Sequence, residues 1–250
     1  MTNNRLRCLI ISISIGLIVL FIVGAIIYLA RQSERKTIDY DACPRPTQFA
    51  TDYDFDYTKK NNEYRNTNSS IDYFRLSLSW SPTFCKAQAN AKNLFQCQHS
   101  FGFIVHGLWP STFKKGSSLH SHNSHPRNCR DEKPMPIEII RKYFCMMPSE
   151  NLMQGEWEKH GTCYWGKPEE YFEQIKSLHS KINMPNDIHE ILNGESSSKR
   201  ASIRQSFLKL NPELKSEHID INIGNKGKTL KEIGFCYDRS FNHIACNQNM

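Results

Sequence analysis

Nine consecutive positions carry an acid, a base, an imidazole and a cysteine: Gly155-Glu156-Trp157-Glu158-Lys159-His160-Gly161-Thr162-Cys163. If Glu156 to His160 form one helical turn, Glu156 precedes Lys159 by three positions and His160 by four. Those spacings put all three side chains on one face. Gly161 then falls where a left-handed cap commonly ends a helix. An imidazole in the last turn meets the negative end of the helix dipole, which favours its charged form. Such a cluster is suited to moving a proton and holding an anion. A solvated helix end with an i,i+4 ion pair would be spelled the same way.

Upstream lies Phe103-Ile104-Val105-His106-Gly107-Leu108-Trp109-Pro110. A short strand over 102–105 is expected to deliver His106 at its end, with Gly107 and Pro110 turning the chain. A lone histidine after a strand is more often structural than catalytic. His120, His122 and His125 occupy a Ser/Asn-rich stretch without a carboxylate or cysteine at ligand spacing, so that stretch reads as a solvated loop and no metal site is expected.

Taken together and in this order, His106-Gly107-Leu108-Trp109-Pro110 and Glu156-Trp157-Glu158-Lys159-His160-Gly161-Thr162-Cys163 resemble the two active-site segments of the ribonuclease T2 family. The resemblance runs from about Tyr73 to Cys246. It implies an α+β domain, a central mainly antiparallel sheet with helices packed against it. It implies an endoribonuclease that cuts single-stranded RNA without a cofactor, through a 2′,3′-cyclic phosphate, with little base preference. At the matching positions it implies His106 as general acid and His160 as general base, with Glu156 and Lys159 orienting the histidine and stabilising the phosphorane. Two histidines suit such a reaction because each can hold either protonation state near neutrality.

Trp109 reads equally as pocket wall or packing, and Trp157 as core. Phe113, Tyr164 and Trp165 are candidate stacking platforms for unpaired bases, each also readable as packing. The chain departs from the family pattern at Gly155, where the family often has a further histidine that helps hold the phosphate. Two other readings follow: a catalytically weak protein that binds RNA or nucleotides in the same cleft, and a zinc hydrolase using His106, Glu156 and His160. The latter lacks the second histidine of a His-Glu-x-x-His motif.

Composition is compatible with this chemistry. The 250 residues carry 32 Lys and Arg against 25 Asp and Glu, a net charge of +7. That balance suits a polyanionic substrate but does not prove one. Nine cysteines include Cys8 at the border of an apolar segment, which leaves an even eight. None forms a Cys-x-x-Cys pair, which argues against a zinc ribbon, and the scattered spacing reads as disulfides in an oxidising compartment. The resemblance implies Cys129 with Cys163 and Cys236 with Cys246. Cys85 with Cys97 is expected in the first loop, and Cys43 and Cys145 remain as the fourth pair.

The expected organisation is a short cytosolic N-terminus (1–8), an apolar transmembrane signal anchor (9–30), a tether (31–71) and the catalytic domain (72–250). The anchor reading rests on an uncharged apolar run of the ~20 residues a bilayer requires. Disulfides put the catalytic domain outside the cytosol, so a membrane partner is expected through the anchor and no obligate protein partner. The tether contains the sequon Asn68-Ser69-Ser70. Within the domain, Tyr73 to Trp80 alternates like a half-buried strand. Helices are expected over 137–147, from Pro168 with the stripe Tyr171, Ile175, Leu178 and Ile182, and over 198–210 with Ile203, Phe207 and Leu210 inward. A strand is expected over 218–223, and a closing hairpin over 230–237 and 243–246. There is no repeat and no second domain.

Overall fold

The structure, a computed structural model, describes residues 16–24, 42–54, 65–113, 125–194, 198–224 and 229–246. It divides into two compact units, Met1–Ile38 and Asp39–Met250. In the first, residues 16–24 form a helix with Leu17 to Val23 exposed. The expected membrane anchor over 9–30 is not supported: among the described residues no helix is long and apolar enough to cross a membrane. The remainder of 1–30 lies outside the described residues.

The second unit is an α+β fold around a four-stranded antiparallel sheet in the order β2-β1-β4-β3. The strands are β1 (Tyr73–Trp80), β2 (Phe103–Ser111), β3 (Ile219–Gly224) and β4 (Thr229–Tyr237). Seven helices join and cover them: α1 (Ser81–Ala87), α2 (Phe95–Gln98), α3 (Ile137–Tyr143), α4 (Glu150–Lys159), α5 (Pro168–His179), α6 (Ile188–Asn193) and α7 (Lys199–Leu210). Alternation along the strands separates two faces. Phe74, Leu76, Leu78, Leu108, Ile233 and Phe235 are buried in the main core with Tyr171, Phe172, Ile175 and Phe207 from the helices.

Strand β1 differs from the half-buried expectation, because Arg75 and Ser77 are as buried as Phe74 and Leu76. A central strand is flanked on both edges, so its polar face is covered too. Strand β2 runs well past its expected end, and Gly107 and Pro110 do not turn the chain. As an edge strand it needs no amide from Pro110 on its open side. Its register against β1 slips between Ser77 and Leu78: Ser77 pairs with Gly107 and Leu78 with Val105, which leaves His106 as the extra residue of a bulge.

Other boundaries shift for local reasons. Helix α3 stops at Tyr143, short of the expected 147. Helix α5 opens on Pro168 at a first-turn position, and its stripe of Tyr171, Ile175 and Leu178 is buried as read, with Ile182 just beyond. Helix α7 is capped by the Ser198 hydroxyl, which accepts from the Ala201 amide, and buries Ile203 and Phe207. Leu210 does not point inward; it is 41% exposed at the helix end. The second arm of the closing hairpin reduces to one bridge, Tyr237 with His243.

All four expected disulfides form: Cys43–Cys145, Cys85–Cys97, Cys129–Cys163 and Cys236–Cys246. The first closes the longest loop, a separation of 102 residues. It fastens residues 42–54 to the domain as a strap. There Phe49 meets Phe144 edge-on at 5.1 Å, the Ala50 amide donates to Glu150 (2.9 Å), and the buried Tyr53 hydroxyl donates to the Met135 carbonyl (2.7 Å).

Candidate active site

Helix α4 begins with the Ser149 hydroxyl accepting from the Leu152 amide and ends at His160, whose amide donates to the Glu156 carbonyl. The helical period therefore gathers Glu156, Lys159 and His160 as read. The Gly161 reading changes. Its φ is not positive, and it opens a single 3-10 turn over Gly161–Cys163 rather than a left-handed cap. Glycine is needed there because a Cβ would run into the Trp157 ring. The end of α4 is held from outside: the Asn128 amide donates to the Lys159 carbonyl (2.9 Å), and Cys129–Cys163 ties the same two segments.

Glu156 is the hub. It is 1% exposed and receives the Lys159 ammonium on Oε1 and the Trp109 indole N–H on Oε2 at 2.7 Å. His106 Nε2 lies 3.7 Å from Oε1 and His160 Nε2 3.7 Å from Oε2. Both imidazoles also lie against the Trp109 ring, with centroids at 5.2 and 5.4 Å. Two histidines 54 positions apart in sequence thus share one carboxylate and one indole. Gly107 makes the approach possible, since a Cβ there would come within 2.6 Å of Trp109 Nε1 and closer still to Glu156. Burial alone would raise the Glu156 pKa. Lys159, then His160 and His106, outweigh it and hold the carboxyl at about 2.

The two histidines are driven in opposite directions. At His106 burial pulls the pKa down, but the carboxylates of Glu156 and Glu232 prevail and leave it raised above 6.5. Its side chain is 31% exposed, and its Nδ1–H donates to Glu232 Oε1. At His160 burial lowers the pKa, Lys159 and Arg127 lower it further, and Glu156 only partly opposes them, so it stays well below 6.5. A geometric fact agrees: His160 Nδ1 is buried with no hydrogen-bond partner among the described residues. An imidazolium donates from both nitrogens, so charging His160 would strand a buried N–H. The charged state expected from the helix dipole is therefore overturned by desolvation, which outweighs a dipole contribution of ~0.3–1 kcal/mol.

Three charged residues outside the two motifs complete the site. Arg75, 1% exposed, donates to Asp220 (2.9 Å) and Ser77 (3.0 Å), lies 3.8 Å from Glu232 and sits 5.1 Å above the Trp109 ring. Strand register explains the meeting: Arg75 is opposite Trp109 on β2 and Cys236 on β4, and Glu232 is opposite Ser79. In sequence, only the polar run Arg75, Ser77, Ser79 on an otherwise apolar strand hinted at it.

The candidate base platforms scatter. Tyr164 and Trp165 pack on Phe74, on the core face and not the Arg75 face. Trp165 is buried, while Tyr164 is 41% exposed. Phe113 stacks on Tyr73 at 4.6 Å beside Cys236–Cys246. Trp109 proves to be both wall and hydrogen-bond donor, and Trp157 is core. Instead, a cavity of about 700 Å³ opens beside His106 between the sheet, α2, the start of α4 and the strap, with Ser79, Gln96, Asn151 and Gln48 among its polar walls. Among the described residues no three His, Cys, Asp or Glu side chains are grouped to hold a metal ion. His120 and His122 lie outside the described residues.

Comparison with known proteins agrees with this geometry. The model of the ribonuclease T2 family matches residues 71–246. The chain belongs to the ribonuclease T2 family. It is a T2-type endoribonuclease. Among curated relatives it is 28% identical over 225 residues to a probable ribonuclease of Haemophilus influenzae, covering 86% of this chain and 74% of that one. It is 28% identical over 192 residues to ribonuclease Oy of Magallana gigas, covering 71% and 88%. The fold resembles that of an RNase-related protein from Calystegia sepium, with a TM-score of 0.53 at 22% identity over 73% of this chain and 94% of that one. The strap at 42–54 precedes the matched region.

Proposed function

We propose that this ribonuclease T2 protein cleaves single-stranded RNA by metal-independent acid-base transesterification through a 2′,3′-cyclic phosphate, with residues 72–250 as its catalytic domain. His160, neutral, takes the proton from the ribose 2′-hydroxyl. The 2′-oxygen attacks the adjacent phosphorus, and His106, charged, protonates the departing 5′-oxygen. Lys159, on the Glu156 carboxylate, faces the phosphoryl oxygens as they gain charge. Water then opens the cyclic phosphate with acid and base exchanging tasks. DNA lacks the 2′-nucleophile and resists.

The observation that carries this reading is the pair of imidazoles lying 3.7 Å from the two oxygens of one shared carboxylate, with carboxylates overriding burial at His106 and burial prevailing at His160, in the sense each step requires. The cavity beside His106 is on the side of the departing oxygen and suits the nucleoside that leaves with it. Its polar walls carry amides, hydroxyls and the Glu150 carboxylate, a mixed set of donors and acceptors in keeping with little base preference. Four disulfides suit a secreted, periplasmic or lumenal setting.

The test is digestion of single-stranded RNA in excess chelator, with analysis of product ends. Cyclic-phosphate ends and loss of cutting in a His160→Ala variant are expected. Undiminished cutting by that variant refutes the mechanism, and RNA binding without turnover across pH ~4–8 favours a binding protein instead.

A further inference from the structure

Neither motif contains Arg75, Asp220 or Glu232, yet the fold goes to some length to bring them together. Arg75 is among the largest fully buried side chains of the molecule. Gly234 leaves room for it: a Cβ there would come within 2.6 Å of Nη2. The Trp109 ring lies across its other side. A buried ion pair is a poor stabiliser, since apolar groups of similar volume generally do as well or better. Its presence beneath the site therefore calls for a functional account.

The contacts run in one direction, toward His106. Asp220 accepts from Arg75 Nη2, which fixes the guanidinium on the β3 side. Arg75 Nη1 donates to Ser77 and lies 3.8 Å from Glu232 Oε2. Glu232 Oε1 in turn takes the Nδ1–H of His106. His106 is the bulge residue of an edge strand, so no paired neighbour in the β1 ladder sets its direction. A bulge re-aims a side chain but does not hold it.

We propose that Glu232 and Arg75 are positioning residues for the general acid: Glu232 grips His106 by Nδ1, and Arg75, clamped by Asp220, Ser77 and Trp109, holds Glu232 in place. With Nδ1 engaged, the proton on Nε2 is the one aimed at the departing oxygen, and the ring cannot flip. The inference rests on His106 acting as the acid. Every charged group facing this imidazole enters the account: Glu156, Lys159 and His160 from the end of α4, Glu150 across the cavity, Glu232 from β4, Arg75 from β1 and, beyond it, Asp220 from β3. Glu232 and Glu156 favour the imidazolium, and Lys159 opposes it. Burial would raise the Glu232 pKa, but the hydrogen bond to His106 and its charge, and after them Arg75, hold it at about 2.

The experiment compares wild-type full chain with Glu232→Gln and Arg75→Met. The profile of kcat/KM against pH reports free-enzyme groups. Glu232→Gln keeps an acceptor oxygen but removes the charge, so the basic limb is expected to move down by about one pH unit. Arg75→Met leaves Glu232 unneutralised and is expected to move the limb the opposite way. The His106 ring is also titrated by NMR in wild type and Glu232→Gln, which reads the grip without turnover. A downward shift of the His106 midpoint in Glu232→Gln supports the inference even if Arg75→Met fails to fold. An unmoved midpoint, with activity lowered evenly at all pH values, overturns it. A shifted midpoint in a protein that makes no cyclic-phosphate ends separates failure of the mechanism from failure of the positioning pair.

Discussion

His106 rides on a bulged edge strand, with 31% of its side chain open and carboxylates facing both ring nitrogens. His160 caps a helix, is 8% exposed as a residue and leaves one ring nitrogen buried without a partner among the described residues. Lys159 and Arg127 face it, and Glu156 offers the opposing negative charge. On the proposed mechanism the sheet half of the site supplies the acid and the helix half the base, from the same residue type. Burial acts on both in the same sense. The excess of carboxylates on one side and of cations on the other decides the outcome. The charges around His106 come from distant parts of the chain, Glu156, Lys159 and Glu232, whereas those around His160 come partly from its own motif, Glu156 and Lys159, and partly from Arg127.

The sharpest way to break this comparison is to remove each imidazole in turn. His160→Ala and His106→Ala are each expected to lower kcat by about 10²–10⁴-fold, measured on a dinucleotide substrate. The two should separate with a substrate whose leaving group needs no proton. There the His106 variant recovers most of its rate and the His160 variant does not. Equal recovery in both would mean that the halves are not specialised.

Next in size is Gly107→Ala, which forces a methyl between Glu156 and Trp109. A displacement of about 1 Å can cost about 10²-fold. Because this residue joins the two halves, kcat is expected to fall while the thermal midpoint changes far less. Retained activity would show that the shared carboxylate is not the register of the site.

The pH profile sharpens the same point without mutation. The base needs His160 neutral, so activity falls on the acid side only as pH drops through a pKa well below 6.5. The acid needs His106 charged, so activity falls on the basic side as pH rises through a pKa above 6.5. The expected bell is broad, with a plateau spanning pH 6.5. A narrow peak there would mean that the halves do not differ.

The smallest effect is thermodynamic. Glu156 is depressed from 4.5 to about 2 in the folded state. Its stabilisation, of order 3 kcal/mol at ~1.4 kcal/mol per pKa unit, is present above its unfolded pKa. It is lost as pH falls from about 4.5 toward 2. Calorimetric stability of Glu156→Gln against pH should lack that part of the acid slope, and an unchanged slope would locate the acid sensitivity elsewhere.

Much of this was legible in the residues. The two motifs, the helical spacing of Glu156, Lys159 and His160 and the stripe of α5 emerge from local order and hold in three dimensions; the cystine pairs, which also form, came in part from the family resemblance and in part by elimination. The period of a helix is a property of neighbours in the chain, so a motif within one turn declares its own geometry. What pattern missed has a common cause. The extension of β2 through Gly107 and Pro110, the bulge at His106 and the burial of Arg75 all depend on which strand lies alongside and in what register.

By itself the sequence determined that an acid, a base and two imidazoles were available, and that helix and disulfide would hold one of those imidazoles. The resemblance to the family cast His106 as acid and His160 as base, and only the tertiary structure supplied the charges that surround each ring. Around His106 they come from Glu156, Lys159 and Glu232, which stand 50 to 126 positions away in the chain. Coulomb interactions follow distance in space, and no periodicity along a chain encodes the distance between two strands that have yet to pair.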